Sequence, residues 1–135
     1  MAGELFTRTI TTTSANPSGV TVAGSVAIPE NEEVSFSQLV PALSSAVSYA
    51  WAFAHTTLQA WSISAVGGAA TVAFYNASTP LLSFALANGQ TVSWNIDEYN
   101  ANSTQFPKPF ASDVTSIKVT CTPAVTITGV AGLIV

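Results

Sequence analysis

Charged side chains are nearly missing from this sequence. Lys, Arg, Asp and Glu make up 7% of its 135 residues, against about 25% in an average globular protein. Little charge is therefore left to keep copies apart by repulsion. The cations are Arg8, Lys108 and Lys118, within a net charge of −4. Gripping a phosphate backbone takes several clustered Lys or Arg side chains, so direct nucleic-acid binding is excluded as an expectation. A single cysteine, Cys121, rules out an internal disulfide and any need for an oxidising compartment. Cys121 alternates with Ile117 and Val119 and is expected to be a core thiol. Long apolar runs are lacking too. Hydrophobic residues are 48% of the chain, yet Ser, Thr, Asn or Gly break every run before the ~18 residues that cross a bilayer, so no membrane association is expected. The opening "MAGELFTRTITTT" carries Glu4 and no apolar centre, so no signal peptide is expected, and synthesis in the cytoplasm follows. The surface left over is mostly Ser, Thr, Asn, Gln and Ala, which suits a protein that partners largely cover.

Strong helix formers are also scarce, and Thr, Val and Ser dominate. Alternation of period two recurs. Val47, Tyr49, Trp51 and Phe53 share one face of "AVSYAWAFA". The same pattern holds for Val72 and Phe74, for Leu82, Phe84 and Leu86, for Val92, Trp94 and Ile96, and for Ile117, Val119 and Cys121. Turn signals fall between these runs, at "NPSG", "PENEE", "GG", "NASTP", "NG" and "TPA". Asn88-Gly89, between two alternating runs, is the strongest hairpin signal. The phase changes between Leu58 and the Trp61/Ile63 pair, which predicts a bulge. The best helix candidate, "SFSQLVPALSS", is limited to about a turn by Pro41. Eight to ten short strands separated by turns predict an all-β fold: a single antiparallel β-sandwich, with the jelly roll as one form of it. Residues 1–18 are expected to be an extended N-terminal arm or a first strand, and residues 19–135 the sandwich domain. The apolar tail "TITGVAGLIV" is expected to be a core strand or an oligomer contact.

No catalytic set stands out, and no catalytic, cofactor-binding or metal-binding residue is assigned. His55 is the sole histidine and has no second His or Cys at zinc-ligand spacing, so a strand-end or surface position is expected. No G-x-S-x-G context marks a nucleophilic serine. Glu30, Glu32 and Glu33 lie in a turn signal and are expected to be solvated. Asp97, Glu98 and Asp113, with Asn100 and Asn102, supply oxygen ligands of the kind calcium takes, but without the EF-hand spacing or its glycine. Paired carboxylates also raise glycoside hydrolysis, which needs a cleft that nothing in the sequence shows. Trp51, Trp61 and Trp94 alternate in phase with aliphatic residues, so core packing is preferred over sugar stacking. Sugar binding through Tyr99 or Phe106 stays open. "NAS" at 76 and "NST" at 102 match the glycosylation acceptor pattern and carry no weight without a secretory signal.

The longest irregular connection runs from Trp94 to the strand at Ile117. Its order is a glycine turn, "VSW", an acidic-Tyr segment, "FPKPFASDVTSIKVT", and a last apolar strand "VTITGVAGLIV". This order resembles small all-β proteins of tailed-bacteriophage virions, of the capsid decoration (cement, or auxiliary head protein) type. Trp94, Pro109, Phe110, Asp113, Val114, Thr115, Val119 and Thr120 carry the resemblance, which spans roughly residues 45–135. It implies a non-enzymatic virion structural protein on the capsid surface. The major capsid protein would be its partner, and self-association, with a trimer among the arrangements, would suit symmetric shell positions. A tail or neck accessory protein with a host-surface contact, and a small carbohydrate-binding module, are the alternatives. Within the connection, Pro107 and Pro109 hold the backbone extended and bias Phe106 and Lys108 the same way. Phe106, Pro107, Lys108, Pro109, Phe110 and Asp113 are the candidate partner-docking residues, weighed equally against a role for Phe106 or Phe110 in plugging the end of the sandwich. Asp113 is expected to cap the turn into the next strand through nearby backbone N–H groups.

Overall fold

The computed structural model describes residues 6–15, 21–96 and 109–135, with side chains described from Glu30 onward. In chain order the strands are β1 (Phe6–Ala15), β2 (Thr21–Glu30), β3 (Glu32–Val40), β4 (Ser44–Phe53), β5 (Leu58–Val66), β6 (Ala70–Asn76), β7 (Thr79–Leu86), β8 (Thr91–Asn95), β9 (Val114–Cys121) and β10 (Val125–Leu133). The chain is all-β, as the period-two patterns predict. β1 and β2 form a two-stranded antiparallel ribbon in register from Phe6↔Glu30 to Ala15↔Thr21. The other eight strands form two antiparallel sheets, ordered β3-β10-β5-β8 and β4-β9-β6-β7. β2, within the stretch 19–135 expected to form the sandwich, pairs with β1 rather than joining either four-stranded sheet. The "NPSG" turn lies outside the described residues.

The pairing is nested. β3 pairs with β10, β4 with β9, β5 with β8 and β6 with β7. Strands β3 to β10 thus nest like one long hairpin of four stacked pairs, rolled so that β10 also meets β5 and β9 also meets β6. That is the eight-stranded jelly roll, the double-sheet form of Greek-key sandwich. The apolar tail is a core strand. Val125, Ile127, Ala131 and Leu133 of β10 are buried, and the strand sits between β3 and β5.

Aromatic rings fill the space between the sheets. Trp51 stacks on Phe36 with centroids 5.4 Å apart, and its Nε1 donates to the Val34 carbonyl at 3.3 Å, which joins β4 of one sheet to β3 of the other. Phe74 is fully buried and touches Trp51, Trp61, Phe84 and Phe110. Such ring pairs add about 0.5–1.5 kcal/mol each beyond the area they bury. Gly129 in β10 gives Trp51 room, because a β-carbon there would lie 2.5 Å from the indole. Cys121 is buried, as its alternation predicts, and its thiol donates to the Pro41 carbonyl at 3.3 Å.

Four local expectations meet the structure with different outcomes. The phase change in β5 is a bulge, as predicted: Ala60 faces Gly132 and Leu58 faces Leu133, which leaves Gln59 as the extra residue. Asn88-Gly89 does make a tight turn, with Gln90 N–H donating to the Ala87 carbonyl at 3.0 Å and Gly89 at φ 81°. It does not close a hairpin, however, because β7 and β8 belong to different sheets. The turn carries the chain across the sandwich, and a local signal reports the bend and not the partner. The helix candidate is strand up to Val40. Phe36 and Val40 are buried there while Ser35, Ser37 and Leu39 are exposed, so period two overrides the short apolar run. The acidic "PENEE" turn is a single bend at Asn31 between two strands. Glu32 and Glu33 are exposed as expected, but Glu30 is fully buried. Its carboxyl fills the space over Gly132, where a β-carbon would collide with it.

Candidate functional site

The nested pairing gives the sandwich two distinct ends. One end carries the root of the β1–β2 ribbon, the β4–β5 loop with His55, the β6–β7 turn and the residues that lead into β9. The other end carries the β3–β4, β5–β6, β7–β8 and β9–β10 turns.

Of the candidate docking residues, Phe106, Pro107 and Lys108 lie outside the described residues, as do Asp97, Glu98, Tyr99, Asn100 and Asn102. Pro109 is half-buried. Phe110 is 3% exposed, and its ring sits 5.0 Å from Phe74, 5.7 Å from Phe53 and 5.8 Å from Trp61. It is the plug at this end of the sandwich. The expectation that Phe110 offers a partner surface is corrected accordingly: an aromatic ring flanked by three others gains more from the core than from water. Asp113 is exposed, and its cap is long-range rather than local. One carboxylate oxygen, Oδ1, accepts from the His55 backbone N–H at 3.0 Å and lies 2.7 Å from His55 Nδ1. The side chains of His55 and Asp113 are 29% and 56% exposed. The two hydrogen bonds from His55, ring first and backbone second, hold the Asp113 carboxyl below its ordinary range.

The neighbouring residues are tied as firmly. Asn76 Nδ2 donates to the Asp113 carbonyl at 2.8 Å, and the Thr115 hydroxyl accepts from Ala77 N–H at 2.8 Å while donating to the Tyr75 carbonyl at 3.2 Å. Val114, between them, is 1% exposed. "DVT" therefore locks the entry of β9 to the β4–β5 loop on one side and the β6–β7 turn on the other. Lys118 lies further along β9, its Nζ 4.4 Å above the Tyr75 ring. Among the described residues no three His, Cys, Asp or Glu side chains converge. Trp51, Trp61 and Trp94 are buried, at 2%, 4% and 7% exposure, so none presents a sugar-stacking face.

The opposite end was not legible as a site from the sequence. Leu39, Leu43 and Val66 are exposed there at 64%, 80% and 59%. Leu39 and Val66 flank Thr126 across three adjacent strands. Leu43 stands on the β3–β4 turn with φ 61°, a left-handed conformation uncommon for a residue with a branched side chain. The available signal was an absence, since segments 39–47, 64–71, 86–91 and 120–127 contain no charged residue.

Comparisons with protein-family models, with curated proteins and with solved structures find no match.

Proposed function

We propose that the chain is a non-enzymatic structural protein of a bacteriophage virion, a decoration protein that binds the major capsid shell and stabilises it. The observation that carries this reading is the "PFASDVTSIKVT" stretch on which the resemblance rests. The matched residues in it hold the end of the sandwich together. Phe110 plugs the core, Asp113 and Thr115 tie down two neighbouring loops, and Val114 and Val119 are buried. These residues thus act together as one structural unit at that end of the sandwich. The outward residues agree with the reading. Ser35, Ser37, Ser48, Ala50, Ala52, Thr71, Ser83, Ala85, Thr91, Ser93, Thr120 and Thr128 are exposed along the strands, so the sheets offer small, neutral side chains. Covering such a surface desolvates few charges. The jelly roll itself serves viral capsid domains and lectins alike, so the fold supports the reading without deciding it.

A protein that binds the assembled shell but not its free subunits shifts the equilibrium towards the shell by mass action. Quantitative mass spectrometry of gradient-purified virions of the encoding phage tests the proposal. The expected result is a simple ratio to the major capsid protein, with hundreds of copies per particle. A handful of copies would assign the chain to the tail or neck, and its absence from the particle would overturn the reading.

A further inference from the structure

We propose that Asn88 is a deamidation site gated by the fold. Its side-chain amide is lost only when Gly89 is released from β5, and the product sets a charge on the uncharged tip of the sandwich. That tip is the end formed by the β3–β4, β5–β6, β7–β8 and β9–β10 turns, none of which holds a charged residue. The described carboxylates Glu30, Glu32, Glu33 and Asp113 sit at the other end. The inference goes beyond the reading above and stands without it.

Asn88-Gly89 is the only Asn-Gly pair in the chain, and both residues are exposed to water. An asparagine amide is lost by attack of the next residue's backbone nitrogen on Cγ. Glycine makes this easiest, because no β-carbon crowds the approach. Here the Gly89 nitrogen gives its proton to water and bonds to Asn88 Cγ. The Cγ–Nδ2 bond breaks, and Nδ2 takes up a proton and leaves as ammonia. Water then adds to either carbonyl of the cyclic imide. The ring opens to aspartate, or to isoaspartate with its backbone routed through Cβ and Cγ. Water is the only co-reactant, and nothing is oxidised or reduced.

The fold holds the attacking nitrogen. Gly89 N–H donates to the Ala65 carbonyl at 2.7 Å, and Ala65 N–H donates to the Gln90 carbonyl at 3.3 Å. These bonds carry the β5–β8 pairing one step beyond Ser64↔Thr91. The imide nitrogen bears no hydrogen, so ring closure has to break the shorter of the two. It would take that donor from the carbonyl of Ala65, a fully buried residue, where a missing partner is costly. The turn around Gly89 is braced as well. Gln90 N–H donates to the Ala87 carbonyl at 3.0 Å, and Gln90 Oε1 accepts from Ala87 N–H at 2.8 Å. The carbon under attack has no such protection. Asn88 Oδ1 accepts from Gly67 N–H at 3.0 Å, which draws electron density from Cγ and favours attack. The gate is therefore the Gly89–Ala65 bond, and local opening of the tip is what frees the nitrogen.

The two products act differently on the tip. Aspartate at position 88 keeps the bond from Gly67 N–H and strengthens it with its charge. The turns stay docked, and the tip gains a negative charge. Isoaspartate adds a methylene to the backbone between positions 88 and 89. That moves the Gly89 N–H off Ala65 and opens the turn that Gln90 braces. Either product records that the tip has opened.

Peptide mass spectrometry of the full chain, kept at mildly alkaline pH, tests this, with aspartate and isoaspartate forms separated by chromatography. The folded protein is compared with the chain unfolded in urea, and hydrogen exchange at the Gly89 N–H is followed alongside. The unfolded chain is expected to lose the Asn88 amide at least ~10-fold faster than the folded one. At urea concentrations below the unfolding transition, deamidation and Gly89 exchange are expected to rise in parallel. Gly68→Ala gives a second test away from the reacting atoms. Its β-carbon would lie 2.5 Å from the Pro123 ring, which pushes the β5–β6 turn off the β9–β10 turn. It is expected to speed deamidation and Gly89 exchange by the same factor. Equal rates in the folded and unfolded chains overturn the gate. An unfolded chain that keeps its Asn88 amide overturns the site. Exchange that rises while deamidation does not breaks the link to Gly89 and overturns the mechanism. The urea series makes the same comparison on the wild type, so the proposal stays testable even where Gly68→Ala does not fold.

Discussion

Asp113 joins two segments 58 positions apart through a single oxygen. Its carboxyl is held below the ordinary value of 3.8, chiefly by the hydrogen bond from the His55 ring and next by that from the His55 backbone, against a smaller opposing effect of desolvation. A carboxyl with a depressed folded-state pKa stabilises the fold above its unfolded value and loses that contribution as pH falls through the folded one. The thermal midpoint should therefore decline on acidification below about pH 4, and Asp113→Asn should flatten that limb. Because the carboxyl is open to solvent, the change is small. Parallel curves of midpoint against pH for the two proteins would refute the assignment. Phe110 makes the opposite kind of contribution, apolar and buried. Phe110→Ala is expected to cost about 3–5 kcal/mol in urea unfolding, the usual range for emptying a buried phenylalanine site. A loss under about 1 kcal/mol would mean that the ring is not the plug described.

Strands show most clearly what the sequence reveals and what it hides. Period-two runs at Val72 and Phe74, and at Ile117, Val119 and Cys121, identify both the strands and their buried faces, because each strand's inward side depends on its own alternation. The bulge in β5 is legible for the same reason: one extra residue, Gln59, shifts the phase. Strand partners are not written locally. Asn88-Gly89 specifies a bend through the conformational freedom of Gly89, but β8 finds β5 and not β7, because sheet membership is decided by strands far away in sequence. Phe110 was half-legible, as plug or contact, since an aromatic residue next to prolines looks alike in both roles. Glu30 misleads for a related reason: its burial depends on Gly132, about a hundred residues later. Close approach of this sort also governs β10. Gly129→Ala would push a methyl group into Trp51 and is expected to destabilise by about 1–3 kcal/mol. Pairing that change with Trp51→Phe should recover part of the loss. Additive losses in the double variant would show that the indole does not depend on that glycine.

The nested pairing has a kinetic signature for the molecule as a whole. β10 pairs with β3, the first strand of the sandwich, and lies between it and β5, so one sheet cannot close before the last strand arrives. Non-local β pairing of this kind folds in milliseconds to seconds. Refolding from urea is expected to be slow on that scale, and a chain lacking residues 125–135 should show neither a cooperative unfolding transition nor near-ultraviolet circular dichroism. A cooperative transition in the truncated chain would show that the remaining strands close without β10. Asn31 and Val135 exchange hydrogen bonds at one end of the roll, Asn31 Nδ2 donating to the Val135 carbonyl and Val135 N–H donating to Asn31 Oδ1, both at 2.9 Å. This latch has a mechanical consequence. A pull applied between residues 31 and 135 would peel the β3–β10 ladder one rung at a time, its soft direction. A pull applied from one end of the sandwich to the other would load the same rungs together in shear. The roll is thus compliant where its outermost strands begin and end, and stiff along the line that joins its acidic end to its uncharged tip.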